Sequence, residues 1–314
     1  MGLRSKWFRN SGEARRLEDT LARAKAAQAR LKQRVDELKA RPPRRPLDSQ
    51  PELERSLSAA LDAAAADADW TARVPGWPTF RSAVSSAISS EDIMLVKSTA
   101  PHYVGVGLSA LECMNQCLAA AQAPAPRRVL DFGCGYGRVL RFARAAWPEA
   151  EIYATDMDAE GLGFCVHHLR CFGVATDLDH GPDWVSARFD LIWVGSVFTH
   201  LSVADSQRLM AHLAAFLAPG GLVVFTTHGE NALDRMRAHS EGYRLESAVL
   251  DQIVSDCEKT GHGYADYPNW PGYGVSASQT VWVQELARAA GLTCITHLPA
   301  GWDAHQDVFA ARKG

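Results

Sequence analysis

A chain of 314 residues with 47% hydrophobic and 22% charged side chains can bury a sizeable core, and a net charge of −3 excludes the disordered and collagen-like classes. The longest mainly apolar window, residues 213–225, is interrupted by Pro219, Gly220 and Gly221 and falls short of the ~20 apolar residues of a bilayer span. The basic opening Met1-Gly2-Leu3-Arg4-Ser5-Lys6 runs into polar sequence rather than an apolar leader, and Lys6 stands where a myristoylation pattern takes Ser or Thr, so a cytoplasmic location is expected. Seven cysteines without a CxxC pair or zinc-ligand spacing predict packing thiols and no metal site.

The charge is unevenly divided, with a balance of +9 over residues 1–46 and −12 over residues 47–314. An acidic body argues against nucleic acid as its substrate, because phosphate contacts need clustered Lys and Arg. In the basic arm, Ala14, Leu17, Leu21, Ala24, Gln28, Leu31, Val35 and Leu38 recur three and four apart. That heptad pattern predicts a coiled-coil helix and, through it, a homo-oligomer; a solvated basic helix is the simpler alternative. Trp7 and Phe8 among Arg4, Lys6 and Arg9 would suit an anionic membrane surface, and the Pro-rich stretch to Pro46 ends the helix as a stiff linker.

Residues 47–122 read as a helical collar, with helices at 51–68, 79–94 and 108–121. From Arg128 onward, short β-rich runs at 128–132, 151–155, 174–176, 190–194 and 222–227 alternate with helical stretches at 138–146, 160–171 and 203–217. Strict alternation of strand and helix predicts an α/β fold with a parallel sheet covered on both faces, and the strands are apolar nearly throughout. After a polar, aromatic stretch at 228–274, a helix near 279–290 precedes two final strands, 292–298 and 307–311. The link between those strands is too short for a crossover, so they should pair antiparallel.

The chemistry concentrates in Val129-Leu130-Asp131-Phe132-Gly133-Cys134-Gly135-Tyr136-Gly137-Arg138, at the end of the first predicted strand of residues 123–314. A Gly-x-Gly-x-Gly turn there lets backbone approach a ligand closely at the carboxyl edge of the sheet. Asp156, at the end of the second strand, lies where such folds hold a ribose acid, while Asp131 beside the glycines would repel a pyrophosphate and speaks against a nicotinamide oxidoreductase.

Four segments in order resemble the class I S-adenosylmethionine-dependent methyltransferases: residues 129–137, 152–158, 189–201 (Phe-Asp-Leu-Ile-Trp-Val-Gly-Ser-Val-Phe-Thr-His-Leu) and 217–221 (Leu-Ala-Pro-Gly-Gly). The resemblance implies a Rossmann-like sheet of seven strands with the last antiparallel, and S-adenosyl-L-methionine as cofactor. It further implies that Gly133, Cys134, Gly135 and Gly137 form the turn beneath the methionine part, with Asp131 facing the amino group and Asp156 the ribose. Met157 would lie against adenine and Ser196 would line the methionine side, while Asp177 is a candidate for the adenine amino group.

The Asn/Asp-Pro-Pro-Tyr/Phe signature of amino-group methylation is replaced by Gly195-Ser196-Val197-Phe198, which disfavours exocyclic nitrogen and leaves a hydroxyl acceptor. A hydroxyl calls for a base, and His200 is the first candidate, with His305 in the loop joining the last two strands the second. Tyr103 would cover the cofactor, touch the acceptor or only pack. The insert at 242–274, read as a loop, carries Tyr243, Tyr264, Tyr267, Trp270 and Tyr273, suited to stacking on sugars or flat rings with His262, Asp266 and Asn269 to read hydroxyls, or equally to a hydrophobic lid that only seals the site. The text around residues 273–276 and 306–309 is similar to methyltransferases encoded beside glycosyltransferases in bacterial polysaccharide clusters, so a sugar or glycan hydroxyl is the expected acceptor. A small phenolic or polyketide metabolite is the alternative within the fold, and a cofactor-binding but non-catalytic coiled-coil tether the alternative outside it.

Overall fold

The computed structural model describes residues 48–175 and 188–314. The heptad arm, its Pro-rich linker, Trp7, Phe8 and Asp177 lie outside the described residues. Helices α1 (Pro51–Ala66), α2 (Ala68–Arg73), α3 (Trp77–Phe80), α4 (Ile93–Val96) and α5 (Ala100–Ala120) precede the first strand. β1 (Arg128–Phe132), α6 (Leu140–Ala146), β2 (Glu151–Asp156), α7 (Ala159–Leu169), β3 (Phe172–Ala175), β4 (Phe189–Val194), α8 (Val203–Phe216) and β5 (Leu217–Thr227) then alternate as predicted. α9 (Glu230–Arg237), α10 (Ser247–Thr260), β6 (His262–Tyr267) and β7 (Trp270–Ser278) follow, and α11 (Thr280–Ala289), β8 (Leu292–Trp302) and β9 (Gln306–Lys313) complete the chain.

The seven strands of the main sheet run in the order β3-β2-β1-β4-β5-β9-β8. β1 to β5 are mutually parallel, whereas β9 pairs antiparallel with both β5 and β8, so the final hairpin inserts its last strand beside β5. Both faces are buried. Val129, Leu191, Trp193, Val224 and Val308 meet Leu57, Leu61, Trp77 and Leu111 of the N-terminal helices in one core, and Leu130, Ile192, Phe225 and Phe309 meet Leu209, Leu213, Val283 and Leu286 in the other. A methylene-rich interior of this kind contributes roughly 25 cal/mol per Å² of buried apolar area, which explains strands without polar alternation.

Two predicted elements differ. The helix expected at 79–94 is instead the end of α3, a single 3-10 turn at Arg81–Ala83, an irregular run over 84–92 and the start of α4. Ser85 and Ser89 hydroxyls accept from the backbone N–H of Ala87 (3.3 Å) and Glu91 (3.1 Å), and local side-chain acceptors of this kind compete with helical bonds. Arg141 then claims two of the carbonyls a helix would have used: its buried guanidinium donates to the carbonyl oxygens of Ser85 (2.9 Å) and Ala87 (2.9 Å), and also to those of Gly137 (3.0 Å) and Tyr136 (3.2 Å) in the glycine turn. Arg141→Met is expected to cost ~3–5 kcal/mol, read as a lowered urea midpoint, because four buried or partly buried carbonyls lose a donor. The second difference is the aromatic insert, expected as a loop. It folds instead as α10 and the β6–β7 hairpin over a small core of its own, in which Leu233, Met236, Leu250, Ile253 and Val275 are buried.

Candidate active site

The glycine turn leaves β1 and is pinned to β2, since the N–H groups of Gly133 (2.8 Å) and Cys134 (3.1 Å) both donate to the carbonyl of Thr155. Gly133, Gly135 and Gly137 have φ of 83°, 52° and 83°, so the turn needs left-handed backbone at three alternate positions. Their surroundings differ. A Cβ on Gly137 would sit 2.2 Å from Leu169 Cδ1, whereas one on Gly135 would meet nothing within 4 Å. Gly137 is therefore demanded by packing, and Gly135 borders open space at the sheet edge. The Cys134 side chain is turned into the core, which leaves only its backbone on the turn.

Asp156 ends β2. One of its carboxylate oxygens accepts from the Gly135 N–H (2.7 Å) and the other from the Asp158 N–H (2.8 Å), tying the acid to the turn. Burial raises its pKa and those backbone bonds oppose the rise. Asp131 is 4% exposed, and its Oδ2 is buried without a hydrogen-bond partner. Burial first, and then the charge of Asp156, push its pKa up to about 7. Met157, next to Asp156, is 75% exposed despite being apolar. Ser196 has φ 58° at the end of β4; its N–H donates to Thr226 Oγ1 (2.7 Å), and Gln306 bridges the two by donating to Ser196 Oγ (3.0 Å) and accepting from Thr226 Oγ1 (2.6 Å). Gln306 thus fastens the ends of β4, β5 and β9, a role its place in a loop sequence did not reveal.

His200 lies in a 3-10 turn (Phe198–His200) after β4 and donates from Nδ1 to the carbonyl of Gly274 in β7 (2.7 Å). His228, which immediately follows β5, does the same toward the carbonyl of Ser276 (2.9 Å), two residues further along the same strand. A carbonyl only accepts, so both rings carry their proton on Nδ1, and Nε2 keeps its lone pair. Burial lowers the pKa of both, that of His228 to about 3, so both are neutral at physiological pH. No motif marks His228; its only sequence signal is its place at the carboxyl end of β5.

His305 is placed beside this pair but is less available than expected. Its Nε2 faces the Tyr243 hydroxyl (3.3 Å), its Nδ1 is buried without a hydrogen bond at 3.9 Å from Glu241 Oε2, and its ring meets those of His228 (5.4 Å) and Tyr243 (5.8 Å). Tyr103 is fully buried, with its hydroxyl donating to Asp92 Oδ2 (2.8 Å), which is the packing role. His262 reads no hydroxyl in solvent: it is buried, bonded to Ser278 Oγ (2.9 Å) and stacked on Trp282. Asp266 is used by its own hairpin, accepting from the Tyr264 hydroxyl and the Gly272 N–H. Tyr273 is stacked 4.8 Å from the His200 ring, with Tyr267 and the 60%-exposed Trp270 flanking it, so the aromatic side chains do gather beside one candidate base.

Residues 112–262 match the family described as a methyltransferase domain. The chain is 30% identical over 177 residues to a trans-aconitate 2-methyltransferase of Mycobacterium sp. (strain KMS), covering 55% of this chain and 68% of that one. It is 33% identical over 144 residues to a malonyl-[acyl-carrier protein] O-methyltransferase of Enterobacter lignolyticus (strain SCF1), covering 44% of this chain and 53% of that one. A crystal structure of an S-adenosylmethionine-dependent methyltransferase from Clostridium acetobutylicum ATCC 824 aligns with a TM-score of 0.49 at 11% identity, over 71% of this chain and 96% of that one. The chain belongs to the class I methyltransferases. It is an S-adenosylmethionine-dependent enzyme, which sets aside both the nicotinamide and the tethering alternatives. Among the described residues, no helix is long and apolar enough to cross a membrane.

Proposed function

We propose that the enzyme methylates an oxygen, on a sugar or glycan-like acceptor, at the carboxyl ends of β4 and β5 under the β6–β7 hairpin. When bound, S-adenosylmethionine supplies a methyl group on a sulfonium, open to in-line attack. Asp131 would hold its ammonium, satisfying the orphaned Oδ2, while the open space over Gly135 admits its backbone-hugging portion and Asp156 with Met157 receive the adenosine. The rest of the reaction is orientation and one proton. The acceptor hydroxyl would give its proton to the Nε2 lone pair of His200 or His228 as its oxygen takes the methyl group.

The observation that carries this reading is the paired anchoring of the two histidines by alternate carbonyls of β7, which presents two Nε2 acceptors of fixed tautomer at the strand ends. The O-methyltransferase activity named for the malonyl relative is in keeping with an oxygen acceptor. Exposed Trp270 and half-covered Tyr273 beside His200 offer a flat platform, which equally favours a phenolic ring as a second reading. The test is S-adenosylhomocysteine release across a panel of monosaccharides, uronic acids and phenols. With the best acceptor, His200→Ala or His228→Ala is expected to lower kcat by roughly 10²–10⁴ while leaving S-adenosylhomocysteine affinity unchanged. Full turnover in both variants would remove the histidines from the mechanism, and turnover on phenols alone would replace the sugar.

A further inference from the structure

Two arginines follow the glycine turn, and only one has its donors satisfied. Arg141 donates to four carbonyls. Arg138, three residues earlier, makes no side-chain hydrogen bond or ion pair with any described residue; its guanidinium carbon lies 6.0 Å from the Tyr103 ring and 5.8 Å from the Trp302 ring. Those rings place it on a particular face. Trp302 stands edge-on against Trp193 at 5.4 Å, and Trp193 is the direct register partner of Asp131. Arg138 therefore shares the Asp131 side of the sheet, at its carboxyl edge.

A guanidinium stays charged throughout the physiological range, and withdrawing it from water without an anion is costly. Burial already pulls its pKa downward, against the opposing influence of Tyr103, Asp92 and Asp303. Neither acid is hydrogen-bonded or ion-paired to Arg138. Asp92 accepts from the Tyr103 hydroxyl and from the Met94 N–H (3.0 Å), and Asp303 faces His102 at 3.7 Å. What remains is a planar, unpaired fork between two aromatic rings, the arrangement that receives a carboxylate bidentately.

We infer that Arg138 is a carboxylate-binding residue of the methyl-transfer site. The carboxylate has two sources: the amino-acid end of the cofactor, whose ammonium Asp131 would hold, or an acid group on the acceptor. The inference rests on the methyltransferase site described above, with the acceptor source resting also on the proposed acceptor pocket.

Calorimetry on the full chain separates the sources with four probes: S-adenosylhomocysteine, its decarboxylated analogue, glucuronate and trans-aconitate, the last two with the protein saturated in S-adenosylhomocysteine. If the cofactor is the partner, the wild type binds S-adenosylhomocysteine about tenfold to a hundredfold more tightly than the decarboxylated analogue, and Arg138→Gln erases the difference. If the acceptor is the partner, Arg138→Gln keeps S-adenosylhomocysteine affinity and loses tenfold or more toward glucuronate or trans-aconitate. Arg138→Lys, which keeps the charge but not the fork, is expected to fall between, and it carries the same readouts should the Gln variant fail to fold. An Arg138→Gln protein that matches the wild type on all four probes overturns the inference. Failure of the wild type itself to bind S-adenosylhomocysteine would instead strike at the cofactor site.

Discussion

Asp131→Asn is expected to make the ligand-free protein more stable at pH 8 and, at the same time, a poorer binder of S-adenosylhomocysteine. The buried carboxyl has its pKa raised to about 7, against ~3.9 in an unfolded chain. Between those values the unfolded chain has released a proton that the folded one retains, so the folded state binds more protons and stability falls as pH rises. The slope is ~1.4 kcal/mol per pH unit and the whole window amounts to roughly 4 kcal/mol, all of it lost once pH exceeds about 7. Asparagine cannot ionise and escapes that loss.

The cofactor's ammonium, in contrast, needs the charge. Its charge-assisted bond to Asp131 is expected to be worth about tenfold to a hundredfold in affinity. Wild-type affinity should therefore climb between pH 6 and pH 8 as Asp131 ionises, and the Asn variant should show a flat, weak profile. Thermal denaturation at pH 5.5 and 8 alongside calorimetry checks both halves. A variant that is destabilised at pH 8, or that binds normally, would show that the orphaned oxygen has another partner.

That trade-off explains why some of this site was legible in the sequence and some was not. The glycine turn, Asp131 and Asp156 are local requirements: three left-handed residues within five positions can hardly be met except by glycine, and the acids sit at fixed offsets from strand ends. The sheet was legible for the same reason, since each buried strand is a short apolar run of its own. What escaped was set by distant groups. His228 becomes a candidate base because a carbonyl at Ser276, 48 residues on, fixes its tautomer, and residues 84–90 stay out of a helix because Arg141 takes carbonyls that lie more than 50 residues upstream. His262 failed in the opposite sense: its sequence neighbourhood is polar and aromatic, but hairpin pairing buries its ring against the partly buried Trp282. Neither hydropathy nor spacing encodes such pairings.

Gly135→Ala and Gly137→Ala should part company, and the contrast separates what the turn does for the fold from what it does for the ligand. Both residues have positive φ, so each alanine meets some backbone strain, about 1–2 kcal/mol for a left-handed non-glycine. At Gly137 the new methyl also lies 2.2 Å from Leu169 Cδ1 and 3.0 Å from Cys165 Sγ, inside the buried seam between the turn and α7. Overpacking there adds typically 1–3 kcal/mol, so this variant is expected to lose a large share of its stability in urea unfolding. At Gly135 the methyl meets nothing within 4 Å, so the loss of stability should stop at the backbone strain alone and stay well below that of the Gly137 variant. The same methyl would protrude into the space over the turn, beside the N–H that Asp156 holds, and S-adenosylhomocysteine affinity should fall by a factor of roughly ten or more, equivalent to the ~1–3 kcal/mol of an overpacked contact. A Gly135→Ala protein that keeps both its stability and its affinity would mean that the cofactor does not lie against the turn.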